Sequence, residues 1–151
     1  LVFANQIPSI IASEPRTGKT MTTKNLLLTV KYPYFVVDPH NEYLGLAEVT
    51  FGEAFSFDWE IGKSARFIPS ADLGASIYEV SRLFEHFNRS RASLKEWVFV
   101  LDEAHRFAED QNVRGFITEA GKFCRKVLIV TADYQKYLGL GLVFRPLPLD
   151  S

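Results

Sequence analysis

Two short segments carry residue types suited to holding a phosphate group and a metal ion. Ser13-Glu14-Pro15-Arg16-Thr17-Gly18-Lys19-Thr20 fits the pattern G-x-x-x-x-G-K-[ST], with Ser where the first Gly would stand. A loop of this kind holds an anion because its backbone N–H groups and the following helix N-terminus point at it. Gly18 lets the backbone approach closely, Lys19 brings a point charge to outer phosphates, and the Thr20 hydroxyl can ligate Mg²⁺. The second segment, Trp97-Val98-Phe99-Val100-Leu101-Asp102-Glu103, is an apolar run that ends in two adjacent carboxylates. An apolar strand ending this way delivers acids to the carboxyl edge of a sheet, where ligands bind in open α/β folds. Asp102 suits Mg²⁺, directly or through water. Glu103, one residue on, can polarise a water for attack on a γ-phosphate.

These residues need strands before them and helices after them, and the chain supplies both. Ile7-Pro8-Ser9-Ile10-Ile11-Ala12 reads as a buried strand feeding Ser13, and Gly18 to about Val30 reads as a helix stopped by Pro33. That helix offers Met21, Leu27, Leu28 and Val30 to the core. Tyr34-Phe35-Val36-Val37 is a second strand, closed at Asp38-Pro39. Residues 41–64 contain Gly45, Gly52 and Gly62 and read as a loop or hairpin-like excursion; Ala65-Arg66-Phe67-Ile68 reads as a short strand closed by Pro69. Asp72 is placed to cap a helix to about Asn88, with Ile77, Val80, Phe84 and Phe87 on one face. Helical segments are expected near 103–109 and 112–123, a strand at Lys126–Thr131 and a last strand at Leu142-Val143-Phe144. Strands alternating with helices imply parallel pairing with right-handed crossovers.

Composition narrows the remaining classes. A chain of 151 residues, 47% hydrophobic and 23% charged, is one domain with a sizeable core. Its 13 Phe predict an aromatic core or a chain that packs against others. A net charge of −1 offers no global basic field for nucleic acid, so any such contact needs a local patch such as Arg89, Arg91 and Lys95. The one cysteine, Cys124, excludes an internal disulfide and suits a reducing cytoplasm, with a core position expected. No apolar run approaches the roughly 18 residues of a membrane helix, and none reads as a signal peptide, so no membrane insertion is expected. His40, His86 and His105 lack the short spacing of metal ligands.

Val100-Leu101-Asp102-Glu103-Ala104-His105-Arg106-Phe107 resembles the second nucleotide motif of the HerA/FtsK class of P-loop ATPases. Val37-Asp38-Pro39-His40-Asn41-Glu42-Tyr43 resembles the D-P-H-G-E-Y segment after the second strand of HerA-like proteins, with Asn41 at the usual Gly. Gly121-Lys122-Phe123 is similar to their R-K-F/Y-G stretch. The resemblance spans roughly residues 9–145, the ATPase core of such proteins. It implies a three-layer P-loop NTPase fold, RecA/ASCE-like, with a mostly parallel five-stranded sheet in a single domain over 1–151. It further implies ATP and Mg²⁺ as cofactors, with Ser13, Glu14, Pro15, Arg16, Thr17, Gly18, Lys19, Thr20 and Met21 binding nucleotide. Thr20 and Asp102 would hold the metal, and Glu103, Lys19 and Arg125 would act in hydrolysis. Arg125 and Lys122 match the segment that faces the next subunit's nucleotide, so a ring oligomer, a hexamer, is implied, with double-stranded DNA as its substrate. The chain departs from the family after the strand Lys126–Thr131, where a sensor Gln is usual: Thr131 is followed by Ala132 and Asp133, with Gln135 further on. Two other readings stand beside the DNA motor. One is an assembly or secretion ATPase of the zonula-occludens-toxin type without a DNA substrate, and the other a degenerate nucleotide-binding switch.

Overall fold

A computed structural model describes residues 3, 5–12, 19–133, 135–138 and 145–147. Its centre is one parallel sheet of seven strands: β1 (Ser9–Ala12), β2 (Tyr34–Val37), β3 (Ala47–Glu48), β4 (Ala65–Phe67), β5 (Val98–Leu101), β6 (Lys126–Thr131) and β7 (Arg145–Leu147). The order across the sheet is β3-β4-β2-β5-β6-β1-β7, and every pairing is parallel. The expected α/β architecture with parallel strands is present, but with seven strands in place of five. The added strands are short. The 41–64 segment is not a hairpin: it contributes the two-residue β3, parallel to β4, and a one-turn helix α2 (Phe51–Ala54). Thr50 and Glu53 close α2 with a reciprocal capping box. The expected strand at 142–144 lies outside the described residues, and β7 follows it at Arg145–Leu147.

Alternation along the central strands sends side chains to two different cores. Phe35, Val37, Phe99, Leu101, Val127 and Ile129 belong to one buried cluster; Val36, Val98, Val100, Leu128 and Val130 belong to the other. The first is covered by α3 (Leu73–Arg89) and α4 (Gln111–Glu119), the second by α1 (Lys19–Leu28) and by Tyr43. The helices therefore lie on both faces of the sheet.

The helix boundaries follow from their caps. Asp72 accepts a hydrogen bond from the Ala75 amide at 2.8 Å and starts α3, while Asp110 accepts from the Val113 amide at 3.0 Å and starts α4. Val80, Phe84 and Phe87 are buried as their spacing predicts. α1 departs from expectation. Leu27 is buried and Leu26 packs beside it, but Met21 and Leu28 are 61% and 79% exposed. The apolar residues of α1 are spread around the helix, and Thr23 and Leu27, four apart, take the face toward the sheet. The helix expected at 103–109 is a 3₁₀ turn, Ala104–Phe107, because the chain leaves β5 through a left-handed residue, Glu103.

Aromatic side chains fill the first core. Phe35 lies within 5.3–6.3 Å, centroid to centroid, of Phe57, Trp59, Phe87 and Phe99. Trp97, fully buried, stands edge-on to Trp59 at 4.9 Å and donates its indole N–H to the Trp59 carbonyl. Cys124 is buried, and burial pushes its thiol pKa up to about 12, so it is a packing residue. No helix among the described residues is long and apolar enough to cross a membrane. Because Phe35 joins β2 to four other rings, Phe35→Ala should cost about 3–5 kcal/mol of unfolding free energy. Urea denaturation checks this, and a loss under 1 kcal/mol would place the centre of the core elsewhere.

Candidate functional site

The carboxyl ends of β2, β5 and β6 lie side by side. Val37 pairs with Leu101 and Leu101 with Ile129, so Asp38 and Asp102 emerge on neighbouring strands with Thr131 beyond. The sheet ladder runs one residue past each strand: the Asp38 amide donates to Phe67 at 2.9 Å and the Asp102 amide to Val37 at 3.2 Å. Both acidic backbones are therefore fixed by the sheet, whereas their side chains serve other partners.

Asp102 is 4% exposed. Its Oδ1 accepts the Glu103 amide at 2.8 Å, and its Oδ2 lies 3.4 Å from the Thr20 hydroxyl in the first turn of α1. Burial pushes its pKa up to about 6; the Glu103 amide opposes that rise, and the charges of Glu42, Glu103 and Asp38 add to it. The Thr20 hydroxyl and the Asp102 carboxylate are oxygen donors of the type a hard divalent cation takes, though among the described residues no group of three or more His, Cys, Asp or Glu side chains is gathered to hold a metal ion.

Glu103 adopts φ 52°, ψ 39°, a left-handed conformation that costs a non-glycine residue about 1 kcal/mol. That turn brings its carboxylate between two imidazoles. His40 Nε2 lies 3.0 Å from Oε1, and His105 Nε2 lies 3.0 Å from Oε2, with Arg106 Nε at 3.8 Å from the same oxygen. His105 also reaches the end of β6, its Nδ1 3.4 Å from the Thr131 hydroxyl. Burial is the main cause holding the His105 pKa below its ordinary value, so the ring is neutral at neutral pH.

The turn after β2 is built on a buried ion pair. Asp38, fully buried, accepts the Glu42 and Tyr43 amides at 2.9 and 3.0 Å and pairs with Arg66 of β4 at 3.1 Å. Arg66 also donates to the Asn41 side chain and, at 3.2 Å, to the Leu46 carbonyl. Asn41 has φ 53°, a left-handed conformation that Asn tolerates better than most non-glycine residues. The sequence reading missed Arg66; the signal that could have found it is a charge inside a short apolar strand, which requires a partner when buried.

Thr20, Asp102 and Glu103 thus come together, with Glu42, Asp38, His40, His105 and Thr131 around them. Lys19 opens α1, immediately before Thr20. Ser13, Glu14, Pro15, Arg16, Thr17 and Gly18 lie outside the described residues. Met21 is exposed. Arg125 and Lys122 precede β6 and so stand at the amino edge of the sheet, opposite Asp102. Arg125 stacks on Tyr32 at 4.8 Å and donates to the Phe3 carbonyl; Lys122 is exposed, 4.0 Å from Glu119. Either can reach a ligand at the carboxyl edge only from a neighbouring copy. Arg91 pairs with Glu119 at 3.0 Å and packs on Phe123, and Arg89 pairs with Glu85.

A scan against protein-family models finds no match for this chain, and a search of curated proteins finds no significant one.

The raised pKa of Asp102 has a consequence for stability. An acid whose folded pKa lies above its unfolded value weakens the fold once pH passes the unfolded value, fully so above the folded one. For Asp102 the penalty is absent below about pH 4 and complete above about pH 6. Asp102→Asn keeps an oxygen for the Glu103 amide and removes the charge. It should raise unfolding free energy at pH 7.5 by about 1–3 kcal/mol, with the gain fading toward pH 4. Denaturation at both pH values checks this, and no gain at pH 7.5 would contradict the electrostatic account.

Proposed function

We propose that this chain is the nucleotide-hydrolysing core of a HerA-like P-loop ATPase. The observation that carries the reading is the approach of the Thr20 hydroxyl to the Asp102 carboxylate, 3.4 Å apart although 82 residues separate them. A helix N-terminus and an acidic strand end meet there, as a site for a magnesium-bound triphosphate requires. The order of strands supports the finer fold, a three-layer RecA/ASCE-like domain: β6 lies between β1, which leads to the 13–20 segment, and the acidic strand β5.

Residues 13–21 would cradle the phosphates, with Lys19 on the outer ones. Thr20 and Asp102 would hold Mg²⁺, which neutralises charge at the β and γ oxygens when bound. Glu103 would orient a water and accept its proton as the water oxygen bonds to the γ phosphorus and the bond to the bridging oxygen breaks. The released phosphate and ADP carry the balance. Arg125 would complete the site in trans, in a ring oligomer such as a hexamer, because in its own chain it lies at the far edge of the sheet. A basic group so placed is worth on the order of 10³–10⁵ in rate. A DNA translocase in the cytoplasm is the setting that the resemblance favours.

ATP hydrolysis measured with and without double-stranded DNA, beside calorimetric ATP binding, tests this reading. Lys19→Ala should lose about 1.5–3 kcal/mol of ATP binding. Glu103→Gln should bind MgATP and not turn it over. Arg125→Ala should bind ATP, lose turnover and regain part of it when mixed with Lys19→Ala subunits. Turnover indifferent to DNA would favour an assembly or secretion ATPase, and binding without turnover would favour a switch. Unchanged ATP binding in Lys19→Ala would overturn the site.

A further inference from the structure

β6 ends at Thr131, Ala132 and Asp133 follow it, and its end is tied to Glu103. The Asp133 amide donates to the Thr131 hydroxyl at 3.0 Å, the hydroxyl lies 3.4 Å from His105 Nδ1, and His105 Nε2 lies 3.0 Å from Glu103 Oε2. In a neutral imidazole one proton arrangement uses all three links. The Asp133 N–H donates to Thr131, the Thr131 O–H donates to Nδ1, and the Nε2–H donates to Glu103.

Each link is anchored. Thr131 is fully buried at the end of a strand paired on both sides, so its hydroxyl has a fixed origin. His105 sits in the 3₁₀ turn whose last residue, Phe107, is in the aromatic core. The Ala104 carbonyl beside it accepts the hydroxyl of buried Tyr137. Glu103 is the one member on a left-handed backbone, so its carboxylate depends on side-chain partners for its orientation. Of these, His40 has a 44% exposed side chain, whereas His105 is held between Glu103 and the sheet.

We propose that His105 and Thr131 are positioning residues that fix the Glu103 carboxylate from the end of β6. The proposal rests on Glu103 acting as the base for water attack. The chain of hydrogen bonds from Thr131 ties the position of β6 to that of the base. A misplaced base loses rate without losing substrate affinity.

The experiment compares Glu103→Gln, His105→Ala, His105→Gln, Thr131→Val, Thr131→Ser and the His105→Ala/Thr131→Val pair. His105→Ala and Thr131→Val should each lower kcat about 10- to 100-fold with KM and ATP binding unchanged. Thr131→Ser should keep near-parent turnover, His105→Gln should recover part of it, and the pair should be no worse than the poorer single variant. A fall in ATP affinity matching the fall in kcat, or additive losses in the pair, would overturn the proposal. If Glu103→Gln is inactive while His105→Ala turns over at the parent rate, the base stands and this proposal alone falls. If Glu103→Gln is active, the base lies elsewhere and both fall. The nitrogen NMR signals of the His105 ring provide a readout free of turnover. They should show the Nε2–H tautomer and shift in both Thr131→Val and Glu103→Gln. Signals unmoved by either substitution would break the proposed chain.

Discussion

The parallel pairing of β5, with β2 on one side and β6 on the other, is the constraint on which everything at the site depends. Parallel strands end at the same edge, so one register sets the positions of Asp38, Asp102 and Thr131 together. A slip of one residue would exchange the two cores and carry the acids to the wrong face. The aromatic cluster guards against that slip. Phe35 and Phe99 can pack with Trp59, Phe87 and Phe116 only from the face that also holds Val37 and Leu101. The heavy use of Phe is thus connected to the chemistry: rings fix the register, and the register fixes the carboxylates.

The edge so formed is electrostatically uneven. Asp38 is matched by Arg66, and that pair shapes the turn from which His40 and Glu42 arise. Removing one member of such a buried pair costs about 3–5 kcal/mol, so the turn is firmly built. Asp102 is buried at the same edge, and its burial raises its pKa, with Glu42, Glu103 and Asp38 adding to the rise. A domain selected for stability alone would place a neutral residue there. A buried acid with a raised pKa at a strand end, beside a helix N-terminus, is the kind of local disadvantage that accompanies a binding site.

Much of this arrangement was legible in the sequence because the responsible signals are local. Short apolar runs at 34–37 and 98–101 marked the central strands, Asp72 marked the start of α3, and the apolar run into Asp102 and Glu103 marked the acidic edge. Contacts across the sheet were less legible. The link of Arg66 to Asp38 and Asn41 joins β4 to the turn after β2, and that of His105 to Thr131 joins two strand ends; neither has a spacing rule. α1 misled for a related reason. Met21 and Leu28, seven apart, share a face of the helix that turns away from the sheet, and only the position of the sheet decides which side of a short helix is covered.

The central claim is that Thr20 and Asp102 act as one site for the metal that accompanies a nucleotide. A double-mutant cycle on Thr20→Val and Asp102→Asn, read as the magnesium-dependent part of ATP binding by calorimetry, tests it most directly. The account predicts strong coupling: either substitution removes most of the magnesium dependence, and the second adds little to the first. Independent, additive losses, or magnesium dependence retained in the double variant, would contradict it.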